Sequence, residues 1–209
     1  FRDQGRFAEL EAVRRALADW RFYHDFRTDR ASPLRRPALA ITTPTLASDG
    51  SDLAAALATV KQVREEMPAV AAAIEDAFPG ARLSFEFGQG QVALGLRFAD
   101  LPRTLAAHEL SDGTLAYLAL VAALTSYRLP GFIALNEPES SLHPELIRPL
   151  ARLIANAAER TQVWVVTHSE PLAAALAEEG GIRPRTVVKQ EGATWIKGLR
   201  LVGTFDDDD

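Results

Sequence analysis

The sequence of 209 residues has no cysteine, which excludes a disulfide framework and any cysteine-ligated metal site. It has no apolar run long enough to cross a bilayer. It has no Gly-x-Ser-x-Gly elbow, no visible serine hydrolase triad, and no His/Asp/Glu cluster spaced as a dedicated metal site. It has little net charge to steer a partner. The formal balance is -5, and the terminal run Asp206–Asp209 carries most of it, so the rest is nearly neutral. Global charge therefore does not point to nucleic acid, although a local basic patch stays open. The aspartate run reads as a solvated end. No secretory signal stands at the start, and the expectation is a cytoplasmic protein. The first residue is Phe1 rather than Met, so a fragment or a processed product is expected.

Apolar residues make up 47% of the chain, enough for a buried core. Phe7, Leu10, Val13, Leu17 and Trp20 recur at helical spacing and predict a helix over residues 1–20. Residues 21–37 mix aromatics, arginines and prolines and read as a structured loop. A short strand is expected over 38–42. Asp49 or Ser51 caps a helix to about Met67, Pro68 breaks it, and a second short helix runs to Phe78. Residues 82–87 and 91–98, around Gly88-Gln89-Gly90, carry a hairpin signal. Then the pattern alternates: helix 111–127, strand 131–136, helix 145–159, strand 162–167, helix 170–179. Strands 185–190 and 194–200 follow. Alternating strands and helices predict a largely parallel sheet with helices packed on it.

Three segments carry candidate chemistry. Phe132-Ile133-Ala134-Leu135 is a buried strand that ends on Asn136-Glu137-Pro138-Glu139. The C-terminal edge of a parallel sheet is where ligands bind. A carboxylate there can hold a water on a metal or activate a water, and the alternative is an ordinary polar turn. Glu109-Leu110-Ser111-Asp112-Gly113-Thr114 opens a helix that is apolar nearly all round. Ser111 is a good N-cap, Gly113 lets another backbone come close, and the helix start offers free N–H groups to an anion. A plain buried helix is the alternative. Val163-Trp164-Val165-Val166 is a second buried strand that delivers His168, on the same edge as Glu137 if the strands are parallel neighbours.

In this order the segments resemble the ABC-type ATPases, in the branch with RecF, the SMC heads and small bacterial AAA/ABC ATPases. Leu110-Ser111-Asp112-Gly113-Thr114 is similar to the ABC signature, usually Leu-Ser-Gly-Gly-Gln. Asn136-Glu137-Pro138-Glu139 resembles the Walker B strand end, Ser140-Ser141-Leu142-His143-Pro144 the D-loop, and Thr167-His168-Ser169 the switch histidine. The match is good over about residues 105–170 and loose on the flanks. The resemblance implies an α/β fold, the C-terminal portion of a P-loop NTPase head of ABC/SMC type. In it a mainly parallel sheet is flanked by helices, with a helical and β-hairpin lobe on its N-terminal side. The implied division is a lobe over 1–100, an ATPase core portion over 101–205 and the tail 206–209.

The resemblance also implies ATP and Mg²⁺, and a homodimer packed head to tail around two ATP molecules. Ser111 and Gly113, with Asp112 between them, would meet the γ-phosphate held by the other subunit. Glu137 would polarise the attacking water and His168 would sense the γ-phosphate. Ser141 and Leu142 would lie at the dimer interface. Asn136 stands where Asp is usual, and would orient a magnesium-bound water without bringing a negative charge. DNA or an effector protein is the further implied partner, in repair or defence, and no membrane.

One part of the pattern is missing. A P-loop needs Gly-x-x-x-x-Gly-Lys-[Ser/Thr], and none of the three lysines, Lys61, Lys189 and Lys197, follows such a loop. The expectation is that an N-terminal lobe carrying it is missing and that this fragment alone is inactive. Two other functions fit: a nucleotide-gated dimerisation module with little hydrolysis, suggested by Asn136, and an ATPase regulating a separate nuclease. Roughly forty residues follow His168, too few for a fused nuclease domain. The aromatics and arginines of Trp20–Arg36 fit single-stranded nucleic acid by stacking. They fit better a loop packed on the core with its arginines outward, or an arginine serving the nucleotide. His143 reads as a capped turn, and His24 and His108 have no partner in sequence.

Overall fold

A computed structural model describes residues 7–62, 67–190 and 192–199. The expected features at 1–6, 63–66 and 200–209, the acidic tail among them, lie outside the described residues.

The first helix, α1, spans Ala8–Asp19, and a short strand β1 follows over Arg21–Tyr23. This corrects the loop expected at 21–37, because β1 pairs in parallel with β6, Phe132–Asn136. Three residues are too few for a period-two signal to emerge, and only the pairing with β6 reveals the strand. A 3₁₀ turn at Pro33–Arg35 and a two-residue strand β2, Ala38–Leu39, complete this stretch.

Helix α2, Leu53–Gln62, is buried from Leu53 to Val60. Helix α3, Met67–Ala77, carries Pro68 in its first turn, where the missing N–H has no intrahelical partner to lose. The hairpin is β3, Arg82–Gly88, and β4, Gln91–Arg97, with Gln89 and Gly90 both at positive φ in the turn. β2 and β5, Leu105–Ala106, also pair with β4, making a second, antiparallel sheet.

Helix α4, Asp112–Thr125, is the centre of the core. Leu115 through Thr125 are all buried, as expected for a helix that is apolar on every side. It packs against α2, α3 and α5, Ile147–Ala158. β6 pairs in parallel with β7, Gln162–Val166, so the strand order is β1-β6-β7. Helix α6, Glu170–Gly180, packs on α5. The antiparallel pair β8, Val187–Gln190, and β9, Ala193–Ile196, follows.

The parallel sheet has two unlike faces. Tyr23, Ile133 and Leu135 are buried. On the alternate residues, Phe22, Trp164 and Val166 are exposed, and Trp20 and Phe22 lean on Phe132 with ring centroids 4.8 and 6.1 Å away. The apolar face expected of α1 exists, but Phe7, Leu10, Val13 and Leu17 are each at least half exposed.

Candidate functional site

The β6–β7 pairing brings two of the singled-out segments together. Asn136 is opposite Val166 in register, and the next residues, Glu137 and Thr167-His168, leave the sheet at the same edge. Glu137 turns sharply there. Its N–H donates to the Val166 carbonyl at 2.7 Å, and its φ is 45°, a left-handed conformation unusual for a residue with a Cβ. Such a conformation costs about 1–3 kcal/mol and persists where the surroundings enforce it, often at functional sites. The Glu137 Oε1 lies 3.2 Å from the His168 Nε2, with the histidine largely exposed.

The turn after β6 is tied to the switch segment. The Thr167 hydroxyl donates to Glu139 Oε1 and accepts from the Ser169 N–H at 2.9 Å. Among the described residues the other oxygen, Glu139 Oε2, is buried without a partner. Ser169 in turn caps α6, accepting from the Leu172 N–H at 3.2 Å. His143 accepts from the Glu145 N–H at 3.4 Å and so caps its own 3₁₀ turn, as read from the sequence.

The third segment packs against this turn. Ser111 is the N-cap of α4: its hydroxyl accepts from the Thr114 N–H at 3.1 Å and lies 2.8 Å from the Thr114 hydroxyl. Gly113 permits the close approach read from the sequence, since a Cβ there would come within 2.8 Å of the Ser141 carbonyl. Asp112 pairs with Arg35 at 2.6 Å. The structure thus forms two clusters, Asn136–Glu137–His168 on the sheet edge and Ser111–Asp112–Gly113 against the Ser141–His143 turn. Among the described residues, no hydrogen bond joins Ser111 or Asp112 to Glu137 or His168.

Glu109 braces the turn ahead of Ser111. It accepts from the Ala106 N–H and from Arg103, both at 2.9 Å. The Arg103 guanidinium, then the Ala106 N–H, hold its carboxyl well below the usual range, at about 2.

Three features escaped the sequence. His24 and Asp25 follow β1 and line a crevice of about 30 Å³ with Asn136, Glu137 and Ser141, room for about one water rather than a nucleotide. The strand that carries them there is too short to read from the sequence. In sequence Arg35 is one arginine among several in a stretch that reads as a loop. Glu139 and Thr167 sit 28 residues apart and meet only through strand pairing.

A parallel sheet whose edge carries Glu137 and His168, flanked by helices, with an N-capped apolar helix set against the turn beyond, has the fold of an SMC-type P-loop NTPase head. The chain belongs to the family described as "AAA domain, putative AbiEii toxin, Type IV TA system", whose pattern matches residues 2–175. Among solved structures it is similar to the Smc head domain with a coiled coil and joint from Pyrococcus yayanosii, at 17% identity and TM-score 0.51 over 69% of this chain. It is also similar to an SmcHead bound to the C-winged helix domain of ScpA, at 13% identity and TM-score 0.58 over 86%. A third is an SMC ATPase described for ATP-driven dimerization and DNA stimulated activation, at 16% identity and TM-score 0.51, covering 69% of this chain and 91% of that one. The chain spans 28% of the first and 56% of the second. No curated protein matches it significantly in sequence.

Proposed function

We propose that this chain contributes the catalytic edge and the signature turn of an ATP-hydrolysing head that closes head to tail with a second copy around ATP. The observation that carries the reading is Glu137, held at φ 45° against His168 on the C-terminal edge of two parallel strands. At 3.2 Å the two side chains leave no space for a water between them. A γ-phosphate and its attacking water must part them, so nucleotide entry and formation of the reactive arrangement are one event. Glu137 then polarises the water and His168 hydrogen-bonds the phosphate. Phosphoryl transfer is mainly positioning and charge stabilisation, and these are positioning groups.

Ser111 and the free N–H groups at the start of α4 meet the γ-phosphate held by the other copy. Ser141 and Leu142 lie between the copies. The backbone of Gly113 runs so near the Ser141 carbonyl that a Cβ would not fit, and this packing would couple the signature turn to the interface turn. The P-loop that such a head needs does not stand in these 209 residues.

The donors at the sheet edge, the Asn136 amide with Glu137 next to it, suit a Mg²⁺ that arrives with phosphate oxygens and waters. Among the described residues no group of three or more His, Cys, Asp or Glu could hold a metal alone. Asn136 orients a metal-bound water without adding charge. That amide also favours a second reading, a nucleotide-gated dimerisation module with slow turnover.

DNA repair or defence is the proposed setting. The family description and the DNA-stimulated SMC ATPase are its support, and an effector nuclease would be a separate protein. ATP turnover by the full-length protein, beside Glu137→Gln, tests the catalytic part. Wild type is expected to hydrolyse ATP and Glu137→Gln to lose about 100-fold or more. Equal turnover in both would remove Glu137 from the chemistry, and slow turnover in both would favour the gated module.

A further inference from the structure

Arg35 reaches out of the segment between β1 and β2 and is 9% exposed, more deeply buried than Arg14, Arg15, Arg27, Arg103, Arg148 and Arg152 in their ion pairs. Its Nε donates to the Thr28 carbonyl at 2.9 Å and the Asp29 carbonyl at 3.2 Å. Nη1 reaches three carbonyls across the fold, those of Ala107 at 3.4, His108 at 3.2 and Leu110 at 2.8 Å. Nη2 pairs with Asp112 at 2.6 Å. One planar guanidinium thus holds residues 107–112, the turn that ends on Ser111 and opens α4. A lysine, with a compact ammonium, cannot span these acceptors at once.

Asp112 explains why such a cation is useful. It puts a carboxylate in the first turn of α4, where the helix dipole and free N–H groups attract anions. A carboxylate favours the helix but competes with a phosphate for the same ground and repels it. Arg35 draws Asp112 to itself and offsets its charge.

We propose that Arg35 is a positioning residue for the signature turn: it sets residues 107–112 so that Ser111 and the start of α4 face ATP held by the other copy, and it neutralises Asp112. This rests on the head-to-tail reading. It assigns Arg35 no contact with nucleotide, so its loss damages the site whose ATP is bound by the opposite subunit.

The test has two arms on the full-length protein. Deuterium exchange at the amides of 106–114 is expected to rise about tenfold in Arg35→Ala, with β6, β7 and α5 unchanged. Should Arg35→Ala fail to fold, Arg35→Lys, which keeps the pairing with Asp112, is expected to raise exchange about threefold at the same amides. Unchanged exchange there overturns the clamp, whether or not the protein hydrolyses ATP.

The second arm uses doubly tagged heterodimers, with Arg35→Lys replacing Arg35→Ala if only it folds. An Arg35→Ala copy paired with a Glu137→Gln copy retains one intact composite site, and about half of wild-type turnover is expected. A copy carrying both changes, paired with wild type, has each site damaged once and is expected to be nearly inactive. The reverse pattern would mean that Arg35 serves its own subunit's nucleotide, and would overturn the proposal. No turnover by wild type would instead remove the functional reading, leaving the exchange arm to judge the clamp.

Discussion

Glu137 is the residue where sequence, backbone and chemistry meet. Its φ of 45° stores strain that only glycine avoids. Glu137→Gly and Glu137→Ala both remove the carboxylate, yet only Ala keeps the Cβ. The Gly variant is therefore expected to be the more stable by about 1 kcal/mol in urea denaturation. Equal stability would mean that the turn relaxes without strain. Thr167 answers a second residue-scale question. Thr167→Val leaves the Glu139 carboxylate without its donor and the Ser169 N–H without its acceptor. A loss of about 2–3 kcal/mol is expected, with Thr167→Ser close to wild type. A Val variant as stable as Ser would show that Glu139 finds another partner. The sequence made Glu137 and His168 legible because each follows an apolar strand. It left Arg35 and the Glu139–Thr167 pair hidden, because their partners lie 77 and 28 residues away in the chain.

Among the elements, those with many repeats of their own period were readable. α4 is apolar on every side and is the core helix; β3 and β4 form the hairpin signalled by Gly88-Gln89-Gly90. β1 was not readable, since its three residues become a strand only by pairing with β6. The turn before α4 carries a pH prediction. Glu109 has a folded-state pKa of about 2 against 4.5 unfolded, lowered first by Arg103 and then by the Ala106 N–H. A depressed carboxylate contributes stability above its unfolded pKa and loses it as pH falls through the folded one. The melting-temperature gap between wild type and Glu109→Gln is expected to be full at pH 5 and to shrink toward pH 2. A constant gap across that window would show that the bonds of Glu109 to Arg103 and Ala106 do not stabilise the fold.

For the whole molecule, the parallel sheet is two surfaces with different histories in the sequence. Ile133 and Leu135 are buried, as their pattern predicted, while Trp164 and Val166 are just as apolar and remain exposed. Periodicity reports which residues are apolar; it does not report whether another layer covers them. A contiguous apolar surface of this kind marks a place of contact. The same reasoning applies to the site. Glu137 and His168 face each other across one edge, and Ser111 stands apart in its own cluster, an arrangement that makes chemical sense when a second copy brings its signature turn to the first copy's edge.

That assembly is the central claim, and the mass of full-length Glu137→Gln in solution, with and without ATP, tests it most directly. Light scattering is expected to find a monomer without nucleotide and a stable dimer with ATP, because the variant keeps the binding contacts and loses the step that releases them. A mass that ATP does not change, at nucleotide concentrations shown to occupy the protein, would contradict the head-to-tail account.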